Sequence, residues 1–111
     1  MSPDLDAKIR EFDPTDGSFL PLEDLFESAF ASENPADYYD AIFNLFERFP
    51  EDDGAGVFWS AVHGMEAVGG YETRLLIYFR RFPSEMTKTM LIRLRNAGIE
   101  SVDGIEFAAL F

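Results

Sequence analysis

Apolar side chains recur three and four positions apart along most of the chain, the spacing that lines one face of a helix. The first twenty residues are the exception. They carry Pro3, Pro14 and the turn-forming run DPTDGS at 13–18, which predicts an irregular N-terminal arm over 1–20 that packs through Phe12 and Phe19. A short helix is expected over 22–31, with Leu22, Leu25, Phe26, Ala29 and Phe30 inward. The next helix has the clearest start and stop. Asn34 suits the N-cap, Pro35 the first helical position and Asp37 the first turn. Tyr38, Ile42, Leu45, Phe46 and Phe49 make its stripe, and Pro50 ends it by excluding Phe49 from the helical region. A further helix lies between the acids at 51–53 and Gly69-Gly70, with Phe58, Ala61, Val62, Met65 and Val68 on one face. Another spans 71–82 with Tyr71, Leu75, Tyr78, Phe79 and Phe82 inward, and Pro83 stops it. Ser84 caps the last long helix, which turns Met90, Leu91 and Leu94 inward and stops at Gly98. In GIESVDGIEF a strand is conceivable, but a turn and a final short helix over 104–110 are the preferred reading.

The phrase Phe-x-Arg-Phe-Pro occurs twice, 33 residues apart, ending at Pro50 and at Pro83. At that offset Tyr38 matches Tyr71, Phe46 matches Phe79, Arg48 matches Arg81 and Phe49 matches Phe82. The period falls in the range of stacked helical hairpins. The expected architecture is therefore all-α: one domain over 1–111, of five to six helices forming two stacked, HEAT-like hairpins at 34–70 and 71–98. Each hairpin has one apolar face and buries it only against its neighbour, with the remaining segments as caps.

Composition narrows the function. Of 111 residues, 47% are hydrophobic, with twelve Phe to fill a core, so the chain is too apolar to be disordered. The absence of cysteine rules out disulfides and thiolate metal sites. No run reaches the roughly 20 apolar residues of a membrane span. MSPDLDAKIREFD lacks the apolar segment of a secretory leader, so a cytoplasmic location is expected. The net charge is −12, and it is uneven: residues 1–56 hold 15 acids and 3 bases, whereas 57–111 hold 6 of each. Such a field repels nucleic acid and anionic membranes and attracts basic proteins, although acidity also serves plain solubility.

The candidate residues follow from that charge. Asp37 and Asp40 are neighbours on a helix, with Tyr39 on an outer face, and Glu51, Asp52 and Asp53 form an acidic run after the first corner. The run lacks the alternating ligands of a calcium loop and also suits a helix N-terminus. Trp59 faces away from the stripe that holds Phe58, toward a helix edge or the surface. Together these seven residues are the expected docking patch, in which charges steer and aromatic rings anchor. Arg48 and Arg81 sit in last helical turns, where a cation complements the free carbonyls; an anion clamp is the rival reading. His63 and Glu66 stand three apart on one helix, half of a di-metal pattern whose other half is missing. No nucleophile elbow, phosphate loop or dinucleotide fingerprint occurs, so neither catalysis nor a cofactor or metal is expected.

The segment over 38–100 resembles the small α-helical immunity proteins of bacterial polymorphic toxin and contact-dependent inhibition systems. Phe58-Trp59, His63-Gly64, Glu66, the Tyr71 helix, Arg81 through Pro83-Ser84-Glu85, and Arg95-Asn96-Ala97-Gly98 carry the likeness. The resemblance implies a non-catalytic protein that binds a cognate toxin domain, often a nuclease with a basic active-site face, and blocks it; a monomer or weak dimer is expected. It supplies no map of contacts; the docking residues above rest on charge and exposure. Two alternatives stand beside it: a helical-repeat adaptor for a basic partner, and a small enzyme or ligand binder using His63, Glu66 and Arg81.

Overall fold

The computed structural model describes residues 1–14 and 16–110. It is predominantly α-helical, with six α-helices and one small hairpin among those residues: α1 Pro3–Arg10, α2 Pro21–Phe30, α3 Tyr39–Arg48, α4 Phe58–Val68, α5 Glu72–Arg81, α6 Glu85–Asn96, β1 Ser101–Val102 and β2 Ile105–Glu106.

The internal repeat is visible in the backbone. Tyr38 and Tyr71 occupy the N-cap positions of α3 and α5, with φ −100° and −101°. Phe49 and Phe82 occupy the two C-caps, each pushed out of helical geometry by the following proline. The copies diverge after the corner. Ser84 starts α6 at once through a capping box with Thr87, in which Thr87 N–H donates to the Ser84 hydroxyl (3.1 Å) and Ser84 N–H to the Thr87 hydroxyl (3.0 Å). After Pro50 the chain instead makes a left-handed turn, with Gly54, Ala55 and Gly56 all at positive φ, before α4 begins. Gly54 is required there twice over, because a Cβ would also stand 2.9 Å from the Phe58 ring.

Helix α3 is the centre of the fold. It lies between α1 and α5, and α6 reaches both α3 and α5. Ala41, Ile42, Phe43, Leu45 and Phe46 are all buried, so α3 has core on most of its circumference rather than on one stripe. Helix α4 approaches α2 and the 3-10 turn Pro35–Tyr38 more closely than it approaches α3, which it meets through the Phe46 and Phe58 rings, 5.3 Å apart. Gly64 permits the α2–α4 contact: a Cβ there would stand 2.5 Å from the Phe30 ring.

Four expectations are corrected. The N-terminal arm is not irregular throughout. Pro3–Arg10 is a helix capped by the Ser2 hydroxyl, which accepts from Leu5 N–H (3.2 Å), with Asp4 and Asp6 at its start and Lys8 and Arg10 at its end. Leu5, Ile9 and Phe12 turn toward the core, but only Ile9 is fully buried, and so thin a stripe gives little periodicity. In the predicted turn that follows, Gly17 N–H donates to the Pro14 carbonyl (2.9 Å), and Thr15 lies outside the described residues. The second correction is that the helix expected from Asn34 begins as the 3-10 turn Pro35–Tyr38 and becomes α-helical only at Tyr39. The third concerns the C-terminal segment, which pairs Val102 with Ile105 across Asp103-Gly104. Both turn residues have positive φ, as a two-residue hairpin of this twist requires, and the 3-10 turn Phe107–Ala109 stands where the final helix was expected. Finally, Val68 and Phe82 leave the core stripes and are about half exposed, at 48% and 49%.

Candidate functional site

The proline corner after α3 and the start of α6 meet directly. Glu85 N–H donates to the Pro50 carbonyl across the two copies of the repeat (2.7 Å). This bond sets Glu85 beside the run Glu51–Asp53, and the three acids, Glu85, Trp59, Met86 and Thr89 line one open groove of about 360 Å³. Four of the seven residues expected in the docking patch therefore share a site, namely Glu51, Asp52, Asp53 and Trp59. Glu85 was not foreseen. Its signal in the sequence as a docking residue was its place in SEMTKT, where the second copy stops matching the first.

The groove is electrostatically one-sided. Among the described residues none of its four carboxylates forms an ion pair, whereas Asp4, Asp6, Asp40, Glu47 and Glu66 are each matched by a lysine or arginine. One Asp52 oxygen accepts Gly54 N–H (3.1 Å), which fixes that side chain at the mouth of the left-handed turn. Trp59 is half-buried and held from its own side of the protein. The Arg93 guanidinium lies over its ring (5.5 Å to the centroid), and the His63 ring is 5.8 Å away. Arg93 is in turn gripped by both oxygens of Glu66 (2.8 Å each). That bonding holds the Glu66 carboxyl below the usual carboxylate range, against the opposing effect of burial.

The remaining patch residues lie apart from this groove. Tyr39 is not on an outer face; it is fully buried, and its hydroxyl donates to the Gly69 carbonyl (2.8 Å). Burial, and then the nearby Glu72 charge, pushes its pKa up. The reason is that Tyr39, Ile42, Phe43 and Phe46 fall on one buried stripe of α3, while α1, α5 and α6 around it leave that helix little outer face. Asp40 accepts the Tyr78 hydroxyl (3.0 Å) and pairs with Arg74 (3.5 Å). Asp37 accepts the Asn34 side-chain amide (3.1 Å) and pairs with the N-terminal ammonium (3.6 Å). Both carboxylates tie elements together.

The two repeated arginines are structural, in different ways. Arg48 donates to the carbonyls of Phe12 (2.8 Å) and Ile9 (3.3 Å), closing the end of α1 rather than of its own helix. Arg81 grips Glu47 (2.7 and 3.1 Å) and lies over the Tyr78 ring. It thus joins α5 to α3 and is bonded away from the His63–Glu66 pair, whose closest approach is 3.7 Å. No group of three or more His, Asp or Glu among the described residues could hold a metal ion. No helix among them is long and apolar enough to cross a membrane. What the groove can do chemically is receive cationic side chains at its carboxylates and an apolar or cationic face at Trp59. Comparison with protein-family models, with curated proteins and with solved structures returns no match.

Proposed function

We propose that this chain is an immunity protein, which binds a cognate secreted toxin domain of basic character and neutralises it by stoichiometric occlusion. The observation that carries this reading is the groove between Pro50 and α6, where Glu51, Asp52, Asp53 and Glu85 stand around Trp59 without ion-pair partners among the described residues. Acids so placed accelerate association with a basic surface, and a fixed ring anchors the complex once formed. The resemblance over 38–100 supplies the class of partner, and the excess of acid supplies the sign of its charge.

The test is co-expression with the C-terminal domain encoded by the gene directly upstream. The expected result is growth arrest by that domain alone, rescue by this protein and co-purification of the two. A harmless neighbour, or a toxic one that is neither rescued nor captured, overturns the immunity reading. Capture of a harmless basic neighbour would mark the chain as an adaptor instead.

A further inference from the structure

The two corners of the repeat are not equally covered. At the first, the Phe19 ring packs edge-on against Phe49 at 5.4 Å, and the Phe58 ring lies 6.4 Å away. At the second, the matching Phe82 is 49% exposed, and no ring among the described residues pairs with it. Phe82 instead opens onto a depression of about 550 Å³ lined by both corner prolines, Phe79 and Leu110. Its rim carries Glu51, Glu85 and Lys88. The first two are also walls of the acidic groove beside Trp59, so the two depressions form one continuous surface.

We infer that this apolar corner is an anchor pocket, and that its occupant is a basic segment of a partner protein whose apolar side chain seats against Phe82 while its lysines or arginines lie along Glu51, Asp52, Asp53 and Glu85. The charge selects the occupant. A second copy of this chain would bring its own −12 to a rim that already holds unpaired carboxylates, and an anionic membrane would be repelled in the same way. The first corner shows what no described ring supplies to Phe82 at the second: there an aromatic side chain from elsewhere in the chain packs on the corner phenylalanine. The inference shares with the proposed function the acidic groove and the basic character of the partner, but not the partner's being a toxin.

The probe is a capped peptide carrying a Leu-Phe pair between two pairs of arginines, titrated to millimolar concentration into the isotopically labelled full-length protein. Two controls replace Leu-Phe by Ser-Ser, or the arginines by glutamines. The expected result is amide-shift changes centred on Phe82, Pro83, Glu85 and Asp52. Each control peptide should bind about tenfold more weakly, a loss of about 1.4 kcal/mol. Phe82→Ser should weaken the parent peptide similarly, and Lys88→Glu, which adds an acid to the rim, should strengthen it. Three peptides that bind alike, shifts centred elsewhere, no shifts, or a Phe82-dependent dimer in sedimentation would each overturn the inference. If a toxin is neutralised equally well by Phe82→Ser, the anchor pocket falls and immunity stands. If no toxin exists but the peptide maps to this corner, immunity falls and the pocket stands.

Discussion

Tyr39 shows how one hydroxyl changes the meaning of a side chain. In the interior it bridges α3 to the Gly69 carbonyl at the end of α4, and its place on the stripe with Ile42, Phe43 and Phe46 turns the ring inward. Tyr39→Phe keeps the packing and removes the bond, so urea denaturation should register a loss of about 1 kcal/mol. Partner binding should be unchanged; weaker binding at unaltered stability would return Tyr39 to the docking surface. Glu66 gives a prediction in pH. Its folded-state pKa is lowered, chiefly by its hydrogen bonds to Arg93, so the unfolded chain takes up its proton first as pH falls. The stabilisation is full above the ordinary glutamate range of about 4.3 and is lost as pH drops through the lowered folded value. Both partners are partly exposed, which limits the effect to about 1 kcal/mol or less. The stability difference between wild type and Glu66→Gln should therefore be constant near neutrality and vanish in acid. A difference that persists or grows in acid would remove the pair from the account.

Between elements, the decisive contacts join residues whose local patterns give no hint of each other. Helix α1 is held by Ser2 N–H donating to the Tyr38 hydroxyl (2.8 Å) and by the Arg48 bonds to the Ile9 carbonyl in its last turn and the Phe12 carbonyl just past its end. Its caps and charges could be read from SPDLDAKIR, but its thin apolar face hid it behind two prolines. Gly64 is the sharper case. Alanine would favour the helix by about 1 kcal/mol, yet its Cβ would drive the Phe30 ring out of its seat on α4. Overpacking of this kind costs about 1 to 3 kcal/mol, so Gly64→Ala should destabilise on balance. In a Phe30→Ala background the clash is gone, and the same substitution should stabilise by about 1 kcal/mol in thermal or urea unfolding. An identical effect in both backgrounds would show that the ring does not set the α2–α4 spacing.

For the molecule as a whole, folding gathers charge. Five acids are matched by a neighbouring lysine or arginine; of the acids among the described residues that are not, four stand together in the groove beside Trp59. Replacing Asp52 and Asp53 together by lysine should slow association with the proposed partner several-fold or more and flatten its dependence on ionic strength, while dissociation changes less. Stopped-flow association at two salt concentrations measures this. Rates and salt slopes equal to those of wild type would leave the groove as a solvated surface only.

The positions of α2 to α6, their proline and glycine stops, the 33-residue repeat and the all-α class could be read from the chain because each depends on neighbours within a turn or two: a cap, an excluded dihedral, a face of constant spacing. Whether a side chain on such a face is covered depends on a second element that local spacing does not describe. Phe49 and Phe82 are the same residue at the same corner; the Phe19 and Phe58 rings pack on the first, which is half-buried, whereas the second is about half exposed. The acidic run was legible as composition. It became one wall of a groove, with Glu85 opposite and an apolar corner beside it, only when folding bonded Glu85 to Pro50 and brought the places where the repeat diverges onto a single face.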